Sequence, residues 1–153
     1  MNDSKVRELI QLTRRLLQVL SLLCISPREL NYDLTFKHYS KNYYGRYYRY
    51  KPETGKLPKV AIYIFKNKEK TEFYPFEDLV STLIHEVCHH IQYSQPDFVR
   101  RKGVMHNKEF WDLYNAYMSA YLKHSKEKGG KRYEESICKS IRKGSCPHTD
   151  SNQ

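Results

Sequence analysis

The sequence predicts an α+β chain: one helix, three short strands, then two more helices. Apolar residues recur at a helical period over residues 4–24 and again beyond residue 75. Between them, residues 31–66 fall into short Tyr-, Phe- and Thr-containing runs broken by turn residues, which suits strands. The first helix carries Val6, Leu9, Ile10, Leu12, Leu16, Leu17, Leu20 and Leu23 on its period, with Asp3 or Ser4 as N-cap. Ser26-Pro27 ends it, because the residue before a proline is pushed out of the helical region. Strands are expected near 32–38, 43–50 and 58–66, the last two separated by the turn signal Lys51-Pro52-Glu53-Thr54-Gly55. Pro75 opens the next helix, with Glu77 and Asp78 in the first turn where the helix dipole favours them. It runs to about Tyr93, ahead of Pro96. A loop, 94–106, precedes a last helix from about 108 to 123 with Asn107 as N-cap. Beyond Gly129-Gly130 the chain is rich in Lys, Ser and Glu without pattern. The expected organisation is one folded domain over 1–125 and a basic tail over 126–153.

A chain of 153 residues is long enough for one core, and 14 tyrosines with six phenylalanines exclude disorder throughout. Lys plus Arg outnumber Asp plus Glu by 27 to 17. A nucleic acid, an acidic protein or an anionic surface is therefore a candidate partner. The apolar run 16–25 is too short to span a bilayer, and Arg14 and Arg15 precede it within the same helical pattern. No signal-peptide layout or lipidation motif is visible, and the expectation is a cytoplasmic monomer with no membrane contact. Cys24, Cys88, Cys138 and Cys146 form no CxxC and no dense framework, which fits reduced thiols.

The stretch FEDLVSTLIHEVCHHIQY holds three histidines and a glutamate within six positions, His85 to His90. On a helical wheel with Phe76 at zero, the residues Phe76, Leu79, Val80, Leu83, Ile84, Val87, Cys88 and Ile91 span about −60° to +120°. His85 falls near about 180°, His89 near 220° and Glu86 near 280°, outside that arc. His90 lands near about 320°, within it, as a core or boundary histidine. Side chains at i and i+4 lie one above the other, so His85 and His89 can reach one metal ion. Glu86 can then take the proton of a water that attacks a carbonyl, the H-E-x-x-H arrangement of metallopeptidases. A solvated polar helix face is the plain alternative.

A catalytic zinc takes three protein ligands and leaves a fourth position open. The stretch GVMHNKEFWDLY offers His106, just before the last helix, with Glu109 as its rival. Phe110 and Trp111 would anchor that helix and hold the ligand still.

The order Gly-Arg-Tyr, an apolar strand, STLIHEVCHHIQY, a loop and MHNKEFW resembles the SprT-like (Spartan-type) zinc metallopeptidase domain. It is also similar to the YgjP and WLM peptidases. The likeness covers roughly residues 30–122. The resemblance implies zinc held by His85, His89 and His106, with Glu86 as general base. It further implies a zincin-like α+β fold with a small three-stranded, antiparallel sheet packed on the metal-binding helices. Family members usually flank the third histidine with glycines, whereas Met105 and Asn107 stand here. Many carry a zinc ribbon of two Cys pairs, whereas this tail offers only Cys138, Cys146 and His148, and no second zinc site is expected.

In NYYGRYYRYK, alternation puts Tyr43, Gly45, Tyr47 and Arg49 on one strand face and Tyr44, Arg46, Tyr48 and Tyr50 on the other. Tyr43, Tyr47 and Tyr48 are candidates for stacking bases, although Tyr-rich sheet surfaces are also ordinary. Arg46 and Arg49, with Arg100, Arg101 and Lys102 beside the expected cleft, are candidate nucleic-acid contacts. Two functions follow. One is a zinc peptidase acting on proteins, including DNA-associated ones, whose substrate adds as a strand along an exposed edge at 58–66. The other is a nucleic-acid-associated binding module with a structural or inactive zinc site.

Overall fold

The computed structural model describes residues 1–96, 98 and 106–127. Arg100, Arg101, Lys102, Cys138, Cys146 and His148 lie outside the described residues.

Helix α1 spans Asp3–Leu22. Its N-cap is Asn2, one residue before the expected positions, whose Oδ1 accepts the Lys5 N–H at 2.8 Å. Ser26-Pro27 does more than stop a helix. Ser26 Oγ accepts the Glu29 N–H at 3.3 Å and starts a one-turn helix, α2 (Pro27–Leu30), with proline in its first turn. Asn31 closes it at φ 61°, a left-handed position that asparagine tolerates.

Three strands follow: β1 (Asp33–Lys37), β2 (Gly45–Tyr48) and β3 (Lys59–Tyr63). Their order is β1-β3-β2, with β1 parallel to β3 and β2 antiparallel to it. The sheet is therefore mixed, not antiparallel as expected. The last strand in sequence takes the centre, and composition explains why. Residues Val60 to Tyr63 are all buried, whereas β1 and β2 keep exposed polar positions suited to edges. The 58–66 segment consequently has no free edge along β3; the free edge beside the long helices belongs to β2.

Helix α3 (Phe76–Tyr93) starts where Pro75 accepts the first backbone bonds and carries Glu77 and Asp78 in its first turn. Helix α4 runs Lys108–Glu127, one turn longer than expected. Leu16 and Leu20 of α1, Val60 and Ile62 of β3, Leu83 and Val87 of α3, and Phe110 and Leu113 of α4 meet in one core. Helix α3 packs against β2, β3, α1 and α4, so any side chain it carries is held from several directions. Cys88 is a free, buried thiol on its core face. Cys24, in contrast, is disulfide-bonded, so the expectation of reduced thiols fails there. Among the described residues, no helix is long and apolar enough to cross a membrane.

Candidate metal centre

His85, Glu86 and His89 leave α3 on the side away from the α1 core, as the wheel requires. That side is not open to solvent. Glu86 is 9% exposed and His89 6%, because β2 lies along the helix and the start of α4 folds across it.

The approach of β2 depends on Gly45. A Cβ there would sit 2.7 Å from Thr82 Cγ2 and 3.1 Å from both Glu86 Cγ and the Ala61 carbonyl oxygen. Only a residue without a side chain lets strand and helix close to this distance.

The start of α4 is fixed by Asn107. Its Oδ1 accepts the Phe110 N–H at 2.8 Å, the expected N-cap bond, and also the Gln92 Nε2–H of α3 at 3.2 Å. Gln92 is buried, so one side chain ties the cap of α4 to the last turn of α3. This places the preceding residue, His106, over the α3 pair.

His106 Nε2 lies 3.1 Å from His89 Nε2 and 3.1 Å from His85 Nε2. Nitrogens each about 2.0–2.1 Å from a common tetrahedral zinc would stand about 3.3–3.4 Å apart, so the donor set fits such an ion. Among the described residues these three form a group able to hold a metal, and neither Glu109 nor any other acidic residue or cysteine joins it. Of the two candidates for third ligand, the fold brings His106 into place.

Phe110 supports all three imidazoles from below. It is fully buried, stacks on His89 with ring centroids 4.6 Å apart, and meets His85 and His106 edge-on at 4.9 Å each. Trp111 is not core: it is 42% exposed and stands at the rim, 5.7 Å from the His106 ring.

His90 faces the other way. Its Nε2–H donates to the Leu30 carbonyl at 2.6 Å, which leaves Nδ1 to accept from Tyr47 Oη at 2.8 Å. Arg49 Nη1 donates to the same hydroxyl at 2.9 Å. A chain of hydrogen bonds thus runs from β2 through α3 to the end of α2, and His90 is the structural histidine the wheel predicts. Tyr47 is committed to it and is not free to stack on a base.

Burial sets the electrostatics. It pushes His85 down to about 4, with His106 nearby adding to the effect, and His89 down to about 3, with His85 and His106 adding. His106 is also lowered by burial. All three imidazoles are therefore neutral at pH 7, the form that binds metal. Burial raises the Glu86 carboxyl to about 7.

Glu86 and His89 open into a cavity of about 390 Å³ that Gly45, Arg46 and Tyr47 of β2 and the following Arg49 also line. Arg46 and Arg49 thus line the candidate centre itself. A second cavity of about 330 Å³ lies along the first half of α3, between Tyr44, Tyr74, Asp78 and Thr82. The packing role of Gly45, the role of Gln92 and the His90–Tyr47 link escaped the sequence reading. The glycine after two tyrosines was the one available signal; a buried glutamine bonded to a cap leaves none. Scans against protein-family models and searches of curated proteins and solved structures return no match.

Proposed function

We propose that this chain is a zinc-dependent metallopeptidase that hydrolyses peptide bonds in protein substrates. The observation that carries the reading is the convergence of His85, His89 and His106 next to Glu86, with Glu86 and His89 lining one open cavity. His85, His89 and His106 would hold the ion. When bound, zinc supplies a Lewis acid that polarises a carbonyl and makes water acidic near pH 7.

Glu86 does the proton work. A carboxyl raised to about 7 is poised to take a proton from the attacking water and return it to the departing amine. No hydrogen bond or ion pair to another described residue occupies it. Three ligands among the described residues suit a catalytic centre, since structural zinc is ordinarily closed by four protein ligands. The free edge of β2 beside Glu86 offers backbone groups to an extended peptide, which would add as a fourth strand. This role belongs to β2 instead of the 58–66 segment.

Glu86→Gln tests the proposal. The variant should retain one zinc per chain by elemental analysis and lose hydrolysis of an unfolded protein by at least about 10²-fold, the usual worth of a general base. Undiminished cleavage by a zinc-loaded variant would exclude the mechanism.

A further inference from the structure

The cavity beside Glu86 is lined by two arginines that pair with no carboxylate among the described residues. Arg46 lies over the rings of Tyr43 and Tyr48, 4.6 Å and 4.9 Å from their centroids. Arg49 is held by the Tyr47 hydroxyl and lies 5.5 Å from the Tyr93 ring centroid. Among the described residues neither forms an ion pair. Arginines held by aromatic faces keep their charge and most of their five donors, and their orientation is settled before any ligand arrives.

Glu86 lines the same cavity and forms no ion pair with either arginine.

We infer that Arg46 and Arg49 form a specificity pocket that receives an acidic side chain of the substrate, close to the bond being cut. This deepens the peptidase reading and rests on it. A peptide added along the free edge of β2 would send alternate side chains toward α3, and the cavity lies between the two. A carboxylate there would meet two forked donors, the geometry in which arginine outperforms lysine. A nucleic-acid backbone fits less well. It carries a charge at every nucleotide and needs a track of cations, whereas here two cations line a single cavity with Glu86.

The test uses the full chain as its zinc-loaded Glu86→Gln variant, so that binding is read without turnover. Fluorescent twelve-residue peptides carry a single Glu, Gln or Lys moved stepwise through an otherwise neutral extended sequence. At one register the Glu peptide should bind roughly five- to tenfold more tightly than the Gln peptide, as for a charge-assisted hydrogen bond at a partly open site. Arg46→Gln should bring that ratio close to one. Arg46 is exposed and takes no part in the Tyr47–His90 link, so this variant keeps the test valid even if Arg49→Gln unfolds that link. Equal binding of Glu and Gln peptides at every register, or no peptide binding at all, would overturn the inference. So would a Glu preference that survives Arg46→Gln. Loss of oligothymidine binding in Arg46→Gln, without change in the peptide ratio, would assign the arginines to nucleic acid. Failure of the unmodified, zinc-loaded chain to cleave an unfolded protein would instead strike the peptidase reading, which the binding ratios do not measure.

Discussion

At the scale of single residues, the centre places groups with opposed proton preferences side by side, and this fixes how the metal-free chain should respond to pH. His85 and His89 are held near 4 and 3, and His90 and His106 are also lowered. Unfolded histidines titrate near about 6.5, so below that pH the unfolded chain takes up protons the folded chain refuses. The stability these neutral histidines confer is complete above about 6.5 and is lost as pH falls toward 4. Glu86 acts in the other sense. Its carboxyl is raised to about 7, so the folded chain keeps a proton that the unfolded chain has already released, and stability is lost as pH rises through 7. Several histidines outweigh one carboxyl below about 6.5, and only Glu86 remains above it. The metal-free protein should be most stable near pH 6.5, with a lower urea midpoint at pH 5 and a slightly lower one at pH 8. Glu86→Gln should remove the fall above 6.5 and leave the fall below it. A midpoint that climbs steadily from pH 5 to 8 in the unmodified chain would contradict this assignment. His85, Glu86 and His89 were legible in the sequence because one turn of helix carries all three. Gln92 was not, since its partner Asn107 lies across a loop whose path no local pattern reveals.

At the scale of elements, the centre depends on how closely β2 approaches α3, and Gly45 sets that distance. A Cβ at 2.7 Å from Thr82 Cγ2 is closer than van der Waals contact permits, and the same atom would press on Glu86 Cγ. Gly45 has no left-handed backbone that would reserve it for glycine, so crowding alone is at issue. Gly45→Ala should therefore cost about 1–3 kcal/mol of stability, the range for overpacking a tight site, and reduce hydrolysis by shifting Glu86. Adding Thr82→Ser removes the nearest methyl and should restore part of the loss. Denaturant midpoints of the two single variants and the double variant would measure this coupling. Additive losses would mean that the strand and helix do not touch as described. The strands themselves were legible from their Tyr- and Val-rich runs and turn residues. Their order was not. Pairing β1 with β3 in parallel joins segments separated by all of β2, and nothing in either strand alone specifies such a partner. The retrospective clue is that Val60 to Tyr63 are apolar on both faces, as a central strand requires.

At the scale of the whole molecule, the excess of ten positive charges remains to be explained, because the fold uses few of them. The described ion pairs are both at the surface, Lys66 with Glu72 and Lys108 with Asp112, and pairs of that kind stabilise little. A chain this basic should bind DNA weakly and without sequence preference, through phosphate contacts. Tyr43 is 46% exposed but carries Arg46 over its ring, and Tyr47 is held by His90, so any preference for single strands should be modest. Binding should fall steeply with salt, the log–log slope losing about 0.9 for each duplex phosphate contact removed by mutation. Because Arg46 and Arg49 face the cavity beside Glu86, the duplex contacts are expected mainly from other cations. Replacing Arg100, Arg101 and Lys102 together with Gln should flatten the slope, while Arg46→Gln should scarcely change it. If DNA also gathers substrates, cleavage of a DNA-binding protein should rise when DNA is added, and cleavage of a neutral peptide should not. A titration at low salt separates a nucleic-acid surface from charge that merely keeps the chain soluble. Absence of binding there would remove DNA as a partner and leave the histidine centre and its proposed chemistry as they stand.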